Sequence, residues 1–102
     1  MEAAMDAITD VSTIENQGEG RYVMQMPDGQ EAFLSYHRTD SDGIAIDYSY
    51  VPPAFRGRGV AASLVERAVE DARSKGHRIL PRCGYVAAEF RRHDEWQDVL
   101  KL

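Results

Sequence analysis

With a single cysteine among its 102 residues, the chain has no partner for Cys83. That excludes an internal disulfide and fits a reducing compartment. No apolar stretch approaches the roughly 18–20 residues that a membrane-spanning helix needs, so no membrane partner is expected. Residues 1–10 carry acids and no basic residue, the wrong charge for the start of a secretion signal. These absences together point to a cytoplasmic protein. The three histidines, at 37, 77 and 93, stand at scattered spacing and with one cysteine form no recognisable metal set, so no metal is expected. Internal repeats, low-complexity tracts and linkers are also missing.

What is there suits one domain spanning 1–102, with 1–13 loosely ordered: 43% apolar content in a chain of this length builds one core. The net charge of −5 argues against a general affinity for nucleic acid. Its distribution is uneven. Residues 1–50 hold 2 basic and 10 acidic side chains, whereas 51–102 hold 10 basic and 7 acidic. An anion site therefore belongs in the second half.

Residues 1–20 lack a sustained period and read as a lead-in with one short strand near 11–14. Residues 21–26 and 31–38 are β-prone runs flanking Pro27-Asp28-Gly29-Gln30, where Asp-Gly predicts a hairpin turn. A second turn cluster follows at 39–43. Ile44, Ile46, Tyr48 and Tyr50 then alternate, which predicts a third strand over 44–51 with those four residues on one face. Pro52 and Pro53 end it. Apolar residues at 60, 64, 68, 72 and at 61, 65, 69 predict an amphipathic helix over 59–75, stopped by Gly76. A helix of this length acts as a crossover, so the short run 77–80 is expected as a strand parallel to 44–51. Residues 85–93 read as a shorter helix, and Trp96, Val99 and Leu100 as a segment packing back on the core.

The loop between strand and long helix, Arg56-Gly57-Arg58-Gly59-Val60-Ala61, carries the chemistry. A helix start leaves backbone N–H groups unpaired and concentrates partial positive charge. Glycines let a ligand approach the backbone, and arginine forks suit phosphate oxygens. Such a loop is a pyrophosphate cradle. It lacks the Gly-Lys-Ser/Thr ending of a nucleotide-binding P-loop and the Gly-x-Gly-x-x-Gly spacing of a dinucleotide fingerprint.

The stretch VPPAFRGRGVAASLV at 51–65 resembles the acetyl-CoA-binding motif of the GCN5-related N-acetyltransferase superfamily, Arg/Gln-x-x-Gly-x-Gly/Ala, with Arg56, Gly59 and Ala61 on its fixed positions. A second segment, Leu80-Pro-x-Cys83-x-Tyr-Val-Ala-Ala88 followed by Arg92-His93, resembles the compact one-domain branch of that superfamily. The resemblance covers about residues 14–100. It implies an α+β fold with a mixed, mainly antiparallel sheet, a central crossover helix and a short C-terminal helix, a truncated form of the superfamily's architecture. It also implies acetyl-CoA as co-substrate and an amine as acceptor. The strands at 44–51 and 77–81 would splay apart around the pantetheine arm, with Pro52 and Pro53 breaking the pairing. Backbone groups near Tyr50 and Val51 would bind the arm's amides, and the N–H groups of residues 57–61, Gly57, Arg58, Gly59, Val60 and Ala61, would bind the pyrophosphate.

Acyl transfer to an amine needs a proton acceptor, donors for the oxyanion and often an acid for the departing thiolate. Cys83 follows the last strand close to where the resemblance places the thioester. It is either an acyl-accepting nucleophile, with Arg82 the adjacent charge, or a small packing residue. The compact branch commonly reads His-Thr-x-Val before the double proline, whereas this sequence has Tyr48-Ser49-Tyr50-Val51. A phenol, with an ordinary pKa near 10, donates a proton at neutral pH far more readily than it accepts one. Tyr48 thus stands where a base is expected. His93, beside Arg91 and Arg92, would contact the cofactor near its 3′-phosphate or sit on the surface. Tyr85 reads as a helix-start tyrosine packed on the core. Two rival readings go with this one: a CoA-binding module with little turnover, and an interaction protein without a cofactor.

Overall fold

Strand formation in the first half follows from apolar residues at every second position, as in Ala32, Leu34 and Tyr36, all buried on one face. The computed structural model describes residues 11–39 and 42–101. Four strands form a meander, β1 (Val11–Asn16), β2 (Glu19–Gln25), β3 (Glu31–Arg38) and β4 (Gly43–Tyr50). Helix α1 (Val60–Lys75), strand β5 (Arg78–Pro81) and helix α2 (Gly84–Arg92) follow, with short 3-10 turns at Pro53–Phe55 and Asp94–Val99. The sheet order is β1-β2-β3-β4-β5; the first four strands are antiparallel and β5 runs parallel to β4. The mixed sheet and the crossover helix are those expected.

The meander has four strands where three were expected. β1 is a full strand paired with β2 from Val11↔Met24 to Asn16↔Glu19. Only Val11 of its six residues is buried, so an edge strand of this kind leaves no apolar period to read. Its turn is Gln17-Gly18, with φ of 55° and 84°. Positive φ at both central residues is the hairpin geometry that usually selects Asn-Gly, and a glutamine there hides it. Of the lead-in expected to be loosely ordered over 1–13, residues 11–13 belong to β1 and residues 1–10 lie outside the described residues, as do residues 40 and 41 of the second turn cluster.

Helix α1 covers one face of the sheet. Leu64, Val65, Ala68, Val69 and Ala72 are buried against Tyr22, Met24, Leu34, Ile44 and Ile46. Each fully buried Leu, Ile or Val in this layer contributes about 1.5–3 kcal/mol. The predicted apolar stripe starts at 60 and 61, yet Val60 and Ala61 stay half-buried. The first turn of the stripe lies at the rim of the core, with Val60 packed against its edge.

A second departure lies in β4. Pairing steps from Tyr36↔Ile46 to Ser35↔Tyr48, so Asp47 is an extra residue in the β4 strand. A bulge of one residue reverses the alternation beyond it. Ile44 and Ile46 face the core, but Tyr48 and Tyr50 emerge on the opposite face, opposite Ser35 and Phe33. There Phe33 stacks in tilted geometry on both, at 6.1 Å from Tyr48 and 5.7 Å from Tyr50. The expectation that all four share one face is corrected by this bulge.

The terminal segment packs back as expected. Trp96 and Val99 are buried, Phe90 meets Trp96 edge-on at 5.5 Å, and Leu100 bridges Ile79 at the sheet's edge. Arg73 fixes the segment to α1 through two 2.8 Å bonds to the Asp98 carboxylate and one of 2.7 Å to the Glu95 carbonyl.

Candidate functional site

The parallel pairing of β4 with β5 is brief, running from Gly43↔Arg78 to Ile46↔Pro81. Past that point the Ile46 carbonyl accepts the N–H groups of both Arg82 (3.0 Å) and Cys83 (2.9 Å), and the chain turns into α2. Tyr48, Ser49 and Tyr50 keep only their β3 partners. The strands therefore part at Ile46 and Pro81, several residues before Pro52 and Pro53. The cause is the Asp47 bulge together with Pro81, which has no N–H to continue a ladder, rather than the double proline.

A cavity of about 420 Å³ opens in that wedge. One wall is β4 and its extension, Tyr48 to Val51; the other is Phe55, Arg56, Gly57, Gly59, Val60 and Ala61, with Tyr85 of α2 at one end. Gly57 and Gly59 adopt φ of 79° and 81°, left-handed values that favour glycine. A Cβ built at either would meet no protein atom within 4 Å, so the room above them is open to a ligand. The first bond of the α1 ladder runs from the Ser63 N–H to the Gly59 carbonyl at 3.0 Å. The N–H groups of Val60, Ala61 and Ala62 precede it, at the positive end of a 16-residue helix. No acidic side chain stands in that first turn to offset its positive end. A pyrophosphate fits this loop, and the unpaired edge of β4 offers backbone groups to amides.

Arg56 is anchored rather than free-swinging. Its Nε donates to the Val51 carbonyl at 2.7 Å and its guanidinium stands 5.9 Å from the centre of the Tyr50 ring. That bond ties the end of β4 to the glycine loop, while the fork's outer nitrogens remain the part of the side chain suited to phosphate. Arg58 stands 5.7 Å from the centre of the Phe55 ring.

Of the residues singled out in the sequence, Tyr48, Tyr50, Val51, Arg56, Gly57, Gly59, Val60 and Ala61 line this cavity, and Arg58, Cys83 and His93 do not. Cys83 is half-buried next to it, with its Sγ 3.4 Å from the Oγ of Ser49, a lining residue. His93 is elsewhere. Its ring stacks on Trp96 at 3.9 Å and its nitrogens face Glu95 (2.9 Å) and Glu89 (3.5 Å). Tyr85, read as a core tyrosine, is instead 38% exposed at the cavity's end. Burial and then the nearby Glu89 carboxylate push its hydroxyl above the usual tyrosine range, so it stays protonated and able to donate. Ser49 and Phe55 were not singled out. Ser49 faces the wedge because of the bulge, which no residue pattern announces.

Among the described residues no group of three or more His, Cys, Asp or Glu is placed to hold a metal ion. A family model described as GCN5-related N-acetyl-transferase matches residues 21–99. The solution structure of a GCN5-like protein from Staphylococcus aureus superposes with a TM-score of 0.66 at 22% identity, over 91% of this chain and 90% of that one. That likeness is one of fold.

Proposed function

The chain belongs to the GCN5-related N-acetyltransferase family, and from that premise we propose that it moves an acetyl group from acetyl-CoA to an amine, with the cofactor lying in the β4–α1 wedge. Family membership carries acyltransferase chemistry in general. The observation that supports acetyl-CoA as donor is the cavity itself, one wall an unpaired strand edge and the other a glycine loop at a helix start. In this reading the N–H groups of residues 57–61 hold the pyrophosphate and Arg56 and Arg58 add charge. Backbone groups of Tyr50 and Val51 hold the pantetheine amides.

The reacting thioester would then reach the deep end of the wedge, near Ser49 and Tyr85. Tyr85, at the end of the cavity, is placed to give its proton to the departing thiolate. We favour direct attack by the amine over a route through Cys83, because the thiol is not among the lining groups and is tied to Ser49. Intact mass after exposure to acetyl-CoA separates the routes. Direct attack predicts no stable acetyl adduct and normal turnover in Cys83→Ala; an adduct on Cys83 with loss of turnover in that variant would establish the covalent route.

The rival with an observation behind it is a CoA-binding module with little turnover, since a phenol at Tyr48 replaces the histidine of similar proteins. Thiol release from acetyl-CoA over a panel of primary amines decides between them. Release that depends on the amine supports the transferase; tight CoA binding with no release on any amine supports the binding module.

A further inference from the structure

A second cavity, of about 520 Å³, lies on the sheet face that α1 leaves uncovered. It is lined by Ile14, Glu19, Arg21, Ser35, His37 and Asp47, among others. These residues share that face because Ile14↔Arg21↔Ser35 and Asn16↔Glu19↔His37 are direct cross-strand neighbours. Asp47 joins them through the bulge. Its Oδ2 lies 2.7 Å from His37 Nδ1, and its Oδ1 lies 3.6 Å from Arg82 Nε. A carboxylate at that distance places the proton of a neutral imidazole on Nδ1 and leaves the Nε2 lone pair free to accept.

We propose that this cavity is the acceptor site, that it takes a primary amine on an alkyl chain, and that His37, oriented by Asp47, accepts the amine's proton. The proposal rests on the wedge being the acetyl-CoA site. Three observations support it. The two cavities are lined by consecutive residues of β4, Asp47 in one and Tyr48 in the other. Those two residues directly follow Ile46, where β4 leaves β5 and the Ile46 carbonyl accepts from Cys83. Two carboxylates face His37, Glu19 opposite on β2 and Asp47 on β4, and the cations nearby are each paired, Arg21 with Glu31 at 3.6 Å and Arg82 with Asp47 at 3.6 Å. Ile14, 51% exposed, offers apolar surface for an alkyl stem. Tyr48 cannot easily serve as base, and the His37–Asp47 pair supplies one from the neighbouring strand.

The step balances as follows. The bound ammonium gives one proton to His37 Nε2, and the amine's lone pair attacks the thioester carbonyl carbon. A C–N bond forms and the C–S bond breaks with its electron pair on sulfur. The thiolate takes the Tyr85 proton and leaves as the thiol, and the nitrogen's second proton restores the Tyr85 hydroxyl. Asp47 is a positioning residue and touches neither substrate.

The test uses the full chain and Nα-acetyl-lysine methylamide as probe. In 1H–15N spectra, CoA alone is expected to shift residues 57–61. The probe added to CoA-saturated protein is expected to shift Ser35, His37 and Asp47. Probe shifts confined to other surfaces, or none, would overturn the acceptor site while leaving the wedge intact; no CoA shifts at 57–61 would overturn both. Imidazole 15N spectra are expected to show His37 as the Nδ1–H form in wild type and to lose that preference in Asp47→Ala; an Nε2–H form in wild type overturns the pairing role. His37→Gln is expected to lower kcat for the probe by about 100-fold or more with unchanged CoA affinity, and an unchanged kcat overturns His37 as the base.

Discussion

The two halves of β4 differ more than any other neighbouring stretches of the chain. From Gly43 to Ile46 every residue is buried and paired with β5, and Ile44 to Ile46 pair with β3 as well. From Asp47 to Tyr50 every residue is exposed or half-buried and β5 no longer pairs. One bulged residue divides them. The first half supplies stability, and the second, freed from one neighbour and turned over by the bulge, supplies a wall for each of two cavities. The difference teaches that the site is made by withholding sheet structure at one point rather than by adding elements.

Substitutions in the two halves test that division. Ile46→Ala removes a fully buried side chain and is expected to cost about 2–5 kcal/mol in urea unfolding. Tyr48→Ala, at a residue 55% exposed, is expected to change stability by about 0.5 kcal/mol or less. Comparable losses in both variants would break the comparison.

The same contrast marks what could be read in the sequence. The Asp28-Gly29 turn, the α1 stripe and the parallel strand after it were legible, because turn chemistry and helical period are local. The glycine loop was legible as an anion site for the same reason. The bulge was not. Ile44-Ala-Ile-Asp-Tyr-Ser-Tyr50 alternates without interruption, and only the register against β3 reveals that Asp47 is extra. The face of Tyr48 and Tyr50, the place where the strands part and the position of Ser49 all turn on that residue, whereas His93 was misplaced because its stacking on Trp96 is a tertiary contact. β1 was legible only as a short strand near 11–14, since it is held by an exposed edge rather than a buried period.

That edge gives a smaller effect. Glu15 of β1 accepts from the Tyr36 hydroxyl at 2.7 Å and from Arg38 at 2.8 and 3.0 Å, and these bonds, Arg38 first, hold its carboxyl below the usual range. A lowered folded pKa means stability present above the unfolded value and lost as pH falls through the folded one. Glu15→Gln is expected to cost about 1 kcal/mol or less at pH 7 and to flatten the acid limb of the unfolding curve. An unchanged acid limb would remove Glu15 from this account.

His77, just before β5, gives the smallest effect. Burial first, then the charges of Arg38 and Lys75, lowers its pKa from 6.5. The unfolded chain therefore takes up a proton there before the folded one does. Stability from this group is full above pH 6.5 and declines as pH falls from there through the lowered value. Urea midpoints at pH 7.5 and 5.5 are expected to differ less in His77→Gln than in wild type; an equal difference would place the pH dependence elsewhere.

The central claim, that the unpaired half of β4 and the glycine loop together hold CoA, is tested most directly by calorimetric titration of CoA into wild type and into an Arg56→Ala, Gly59→Val variant whose circular dichroism matches wild type. The account predicts saturable one-to-one binding to wild type, weakened tenfold or more in the variant, since a charged donor is lost and a β-branched residue is forced to φ near 81°. Equal affinity in the two proteins, or no binding to wild type, would contradict it.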